Sequence, residues 1–149
     1  MKEKFFISAF EEYAKRLQAY CKFSLYELQE QRLPENPSQG EIASALDKEA
    51  SQILKLLDGD EYVIAMCVEG KQKSSEELAQ LVNDLSLKGR SKIAFIVGGS
   101  YGLSGQVKDA ADLKLSMSLM TFPHHLARIM LCEQIYRAFK INEGSHYHK

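Results

Sequence analysis

Four glycines, Gly98, Gly99, Gly102 and Gly105, follow directly on the apolar run IAFIV. Glycine adopts positive φ and lets backbone approach a ligand closely, so a turn of this composition after a buried strand suits a bound small molecule. Its spacing is not G-x-G-x-x-G, and no G-x-x-x-x-G-K-[ST] run occurs, so the standard dinucleotide and P-loop fingerprints are absent. A tight turn with no ligand accounts for these glycines equally well. His124 and His125 come next, directly after Pro123. Proline starts a helix well, which puts both imidazoles in a first turn capped by Thr121 or Phe122. The positive helix terminus disfavours imidazolium and leaves such a histidine neutral and able to accept a proton. A hydrogen-bonding structural role is as good an account. The third group is the tail EGSHYHK. The chain offers no Ser-His-Asp order, no H-x-x-x-H and no paired-carboxylate constellation.

These groups must be carried by regular elements. Phe6, Phe10, Tyr13, Leu17 and Tyr20 recur at three- and four-residue spacing among acids and lysines, the pattern of an amphipathic helix. KFSLYEL alternates and reads as a strand, and RLPENPSQG is a loop. A second helix spans about 39–57. YVIAMCV is a near-continuous apolar strand, covered on both faces. Ser74 followed by Glu77 has capping-box spacing for a helix that ends at Gly89. The order helix, strand, helix, strand, helix, strand predicts an α/β fold, a mostly parallel sheet flanked by helices. Ligands of such sheets bind outside the carboxyl ends of strands. Residues 66–70, 98–105 and 117–122 are three such ends, which predicts one crevice. Met66, Met117, Met120 and Met130 are adaptable apolar fillers that suit an adenine or thioether edge, and singly they are ordinary core. A long C-terminal helix carries Glu133 and Arg137 four apart, an orientation that supports a helix surface modestly.

A chain of 149 residues is one domain's worth, and 45% hydrophobic with 26% charged residues is ordinary for a soluble globular protein. Its apolar runs are too short to span a bilayer, and MKEKFFISAFEEYAKRL is too acidic for a targeting peptide, so a cytoplasmic protein is expected. Cys21, Cys67 and Cys132 form no C-x-x-C pair, which argues against disulfides and structural zinc; no metal is expected. Net charge is −1, but residues 27–61 hold nine acids against three bases. Residues 122–149 hold four Lys/Arg and all four histidines against Glu133 and Glu143. A chain that meets RNA would use this end, and symmetric dimerisation would double the patch.

The runs IVGGSYGLSG and LKLSMSLMTFPHHLARIMLCEQIYRA, with an ending in YHK, resemble the RlmH (YbeA-like) family of ribosomal RNA methyltransferases in the SPOUT superfamily. The likeness continues upstream through EEYAKRL, EIASALDKEASQIL and AMCVEGKQKSSEELA and covers nearly the whole chain. It implies a single SPOUT domain over residues 1–149 with a C-terminal deep trefoil knot, and a homodimer. The implied activity is transfer of a methyl group from S-adenosylmethionine to N3 of a pseudouridine in 23S ribosomal RNA of the assembled ribosome. By matching positions, Met66, Gly98, Met117, Ser118, Leu119, Met120, Thr121 and Phe122 would bind the cofactor, with Gly102 and Leu103 shaping the wall. His124 and His148, helped by Tyr147, are the candidates for accepting or steering the N3 proton. Arg128 and Lys149 would hold RNA phosphate, as bases do in most nucleic-acid contacts. Two departures stand out: the family's first short strand is missing before Met1, and His146 replaces a proline before Tyr-His. The alternative reading is a ribosome-associated RNA-binding protein of this fold without transfer activity.

Overall fold

A computed structural model describes residues 3–149; the expected beginning at Met1 lies outside them. The chain divides into two compact units, each built from separated stretches of sequence. Tyr26–Lys71 and Lys92–Leu119 form a sheet unit; the described residues up to Leu25, Gln72–Ser91 and Met120–Lys149 form a helical unit.

The sheet unit holds helix α2 (Gln39–Leu56), strands β1 (Tyr62–Gln72), β2 (Ile93–Val97) and β3 (Leu113–Ser116), and the short helix α4 (Gly105–Ala110). Ser38 and Glu41 close a reciprocal capping box at the start of α2, with Ser38 Oγ accepting from the Glu41 amide at 3.1 Å. The strand order is β2-β1-β3. β1 and β2 run parallel, from Tyr62 opposite Ile93 to Met66 opposite Val97. β3 ascends with β1: the Asp112 amide donates to the Val63 carbonyl at 2.8 Å, and further along Leu115 lies against Gly70. Ala50 of α2, Val107 of α4 and Leu103 pack with Val63, Ala65 and Ile96 into one buried cluster. Apolar burial of this kind is the main stabilising term of a small domain.

In the helical unit, α1 (Lys4–Leu17), α3 (Ser75–Leu87) and α5 (His124–Asn142) are the regular elements. The spacing read for α1 is explained by its burial, because Phe10 and Leu17 pack with Ile129 and Cys132 of α5. Burial pushes the Cys132 thiol up to about 11, as expected of an inert core cysteine. Ser74 and Glu77 form the capping box that their spacing predicts, and Gly89 at φ +77° ends α3. Ser75 Oγ donates to Gln134 Oε1 at 2.6 Å and Asn142 Nδ2 to the Ala79 carbonyl at 3.0 Å, fastening α3 to α5.

Two expectations about strands are corrected. KFSLYEL is not a strand; residues 22–34 carry no regular structure. Alternation makes a strand only where a ladder partner exists. Here the groups go elsewhere: Phe23 joins the α1/α5 core, its carbonyl accepts from Gln18 Nε2, and the Gln31 amide donates to Glu49. Residues 66–70 are not a strand end either, since β1 continues to Gln72. Leu17 is fully buried, so Leu17→Ala should cost about 3 kcal/mol in denaturant unfolding, and a loss under about 1 kcal/mol would contradict the packing described.

Candidate active site

In the sheet unit the parallel register decides where the glycine turn begins. Val97 pairs with Met66, so Gly98 leaves β2 level with the half-buried Met66 thioether. The turn closes on itself: the Gly102 amide donates to the Gly99 carbonyl at 3.1 Å, and Gly102 has φ +79°. A Cβ on Gly98 would lie 2.5 Å from the Gly102 carbonyl carbon and oxygen. Both glycines are therefore required by the turn's own geometry. Leu103 is buried in the core with Val107, and Ser104 caps α4, so the far end of the turn is anchored. Past β3, the Ser116 hydroxyl donates to the Ser118 carbonyl at 2.8 Å and bends the chain, and Leu119 is 78% exposed.

Glu30 was not foreseen. Its Oε1 accepts from the Ser100 amide at 2.9 Å, occupying space that any side chain at Gly99 would fill. The contact joins positions 70 residues apart, and no local pattern signals it. A cavity of about 350 Å³ flanks this contact, bounded by Glu30, Arg32, Leu46, Gly99 and Tyr101 among others. Met66, Gly98, Met117, Ser118 and Leu119 do not line it. The cavity's walls set acidic Glu30 and Glu49 beside apolar Leu33, Pro34, Ile42 and Leu46.

Met120, Thr121, Phe122, His124, Arg128, Tyr147, His148 and Lys149 belong to the helical unit. Neither Thr121 nor Phe122 caps α5; Pro123 is the N-cap residue, in extended backbone, and supplies no side-chain bond. The two histidines differ. Their ring centroids lie 4.1 Å apart with the planes tilted by 50°, and His125 also meets Phe6 at 5.6 Å. Burial, then the charges of His124 and Arg128, hold His125 below the ordinary imidazole range. Its buried Nδ1 has no hydrogen-bond partner among the described residues. Desolvation thus keeps an imidazole neutral here, at His125.

The tail is tied down by a set of polar contacts. Tyr147 donates its hydroxyl to Glu133 Oε2 at 2.8 Å and sets its ring edge-on to Tyr136 at 5.1 Å. Burial and the Glu133 carboxylate push the Tyr147 phenol up to about 12, so it stays protonated. Glu133 also holds Arg137, through contacts of 3.1 and 3.0 Å. Arg137 lies 4.9 Å from the Tyr147 ring and reaches His148 Nδ1 at 3.1 Å. The pair that the sequence offers as ordinary surface support is a half-buried clamp on the last residues.

Asp58, Asp60 and Glu61 also gather in the sheet unit. Lys92 pairs with Asp58 and Asp60, and Glu61 accepts the amides of Asp58 and Gly59.

The family profile described as "Predicted SPOUT methyltransferase" matches residues 1–148. The chain belongs to the SPOUT methyltransferase family. Among relatives, a protein of Clostridium novyi (strain NT) named "Ribosomal RNA large subunit methyltransferase H" is 51% identical over all 149 residues, covering 94% of that protein. A Clostridioides difficile (strain 630) protein of the same name is 48% identical, with the same coverage. So is a Methanococcus maripaludis protein named "Putative ribosomal RNA large subunit methyltransferase H". This SPOUT family chain is α/β with a parallel three-stranded sheet, and among the described residues no helix is long and apolar enough to cross a membrane.

The Gly98–Gly102 approach makes a discriminating stability prediction. Gly98→Ala should cost about 2 kcal/mol, because backbone must move to admit the methyl group. Gly105→Ala, where a Cβ would meet nothing within 4 Å, should stay within about 0.5 kcal/mol. Equal thermal or denaturant stability of the two variants would refute the turn geometry.

Proposed function

We propose that this chain is an S-adenosylmethionine-dependent methyltransferase acting on N3 of a pseudouridine in 23S ribosomal RNA, as a cytoplasmic homodimer on the assembled ribosome. The observation that carries the proposal is the full-length match, at 51% identity, to a protein named for methylation of large-subunit ribosomal RNA. In this reading the chain is one functional domain with the knotted C-terminal region of its family. Met66, Gly98, Gly102, Leu103, Met117, Ser118, Leu119, Met120, Thr121 and Phe122 serve the cofactor. Their chemistry fits it: they carry no charge, and the thioethers, aliphatic groups and exposed backbone suit an adenosine and a methionyl chain.

When bound, the cofactor supplies an electrophilic methyl group on a sulfonium. Transfer would form the N3–C bond as the C–S bond breaks, leaving the N3 proton to a base of this chain. In-line placement of nitrogen, carbon and sulfur gives much of the rate, so the residues' main work is positioning. Tyr147, protonated and fixed by Glu133, can only donate or orient in the neutral range. His148 steers from beside it. His124, the first residue of α5, is the candidate proton acceptor. Arg128 and Lys149 hold phosphate.

Calorimetry with S-adenosylmethionine and transfer of labelled methyl to 70S ribosomes test this. Gly98→Val should abolish cofactor binding, and full affinity would contradict the pocket. Removing residues 147–149 should lower methyl transfer about a hundred-fold with cofactor affinity nearly unchanged. Equal loss of both would overturn that division of labour, and binding without transfer by the intact chain would favour an RNA-binding protein.

A further inference from the structure

Helix α3 contributes to the tail a side chain that no sequence pattern flags. Glu76 stands in its first turn, with Oε1 2.5 Å from His148 Nε2. On the other side of the ring, Nδ1 lies 3.1 Å from Arg137 Nη1. A guanidinium has only donors, so Nδ1 must accept. The proton of the neutral ring is then on Nε2, from which it is donated to Glu76. Both ring nitrogens are engaged and one tautomer is selected. Glu133 fixes Arg137 in turn, so the ring is held from α3 and α5 together.

We propose that Glu76 is a positioning residue for methyl transfer: it holds His148 as the Nε2–H tautomer and fixes the orientation that the tail presents to RNA. The proposal rests on the methyltransferase reading above. Glu76 is not the residue that caps α3; Ser74 and Glu77 do that. Its carboxylate suits the helix N-terminus, and the hydrogen bond from His148 holds it below the usual carboxylate range. The requirement is for an acceptor at this place. Glutamine supplies one; alanine does not.

The full chain carrying Glu76→Ala or Glu76→Gln tests it by two readings. Long-range ¹H–¹⁵N spectra of the histidine rings report which nitrogen of His148 is protonated. Turnover on 70S ribosomes at saturating S-adenosylmethionine, with calorimetric Kd, reports the catalytic consequence. Glu76→Ala should mix the two tautomers and lower kcat about five-fold, with Kd within about two-fold; Glu76→Gln should keep the single tautomer and most of kcat. The Glu76 side chain is 62% exposed, so neither change disturbs a core. A wild-type ring pattern or wild-type kcat in Glu76→Ala overturns the proposal, as does a Glu76→Gln variant as impaired as alanine. If the wild-type chain binds cofactor but transfers nothing, the proposed activity fails; an unaltered ring pattern in Glu76→Ala separately refutes the tautomer assignment.

Discussion

Where β2 ends, Gly98 and Gly102 bring backbone against backbone so closely that a single methyl group would collide with a carbonyl. Everything proposed for the cofactor depends on this approach. It turns the chain sharply at the level of Met66, which the parallel register with Val97 fixes. Within the turn, the Gly102 amide is spent on the Gly99 carbonyl and the Ser100 amide on Glu30. The buried Leu103 at one end and β2 at the other make the turn a rigid feature of the sheet unit. A ligand held through backbone needs such rigidity, because backbone positions cannot be adjusted by a rotamer change.

The chemistry of the helical unit depends on a different constraint. Glu133 is one carboxylate with two obligations, to the Arg137 guanidinium and to the Tyr147 hydroxyl. By meeting both, it converts the end of the chain from a frayed segment into a presented surface, since chain termini are poorly ordered unless tied down. The same contacts raise the Tyr147 phenol and spend the lone pair of His148 Nδ1 on Arg137. The tail is therefore organised for donation and orientation more than for taking up a proton.

Much of this was legible in sequence where the signal is local. Helical spacing placed α1 and α2, the Ser74–Glu77 spacing gave a capping box, and IAFIV followed by glycine gave β2 and its turn. LKLS, directly before the strand end expected at residues 117–122, is β3. Failures came where a distant partner decides. KFSLYEL alternates as a strand does, yet Phe23 is claimed by Gln18 and the α1/α5 core. The continuation of β1 past Met66 follows from its β3 neighbour, which no window around residue 66 contains. Glu30 on the Ser100 amide and Glu76 on His148 join positions 70 and 72 residues apart. The functional family was legible for another reason: the likeness runs the length of the chain, whereas each motif alone had an ordinary structural explanation.

The central claim is that the turn after β2 and the segment after β3 bind the methyl donor. Backbone hydrogen exchange of the intact chain, with and without saturating S-adenosylmethionine, tests it most directly. The account predicts slowed exchange concentrated at residues 98–103 and 117–122. Protection confined to other segments, with calorimetry confirming that the cofactor is bound, would contradict it.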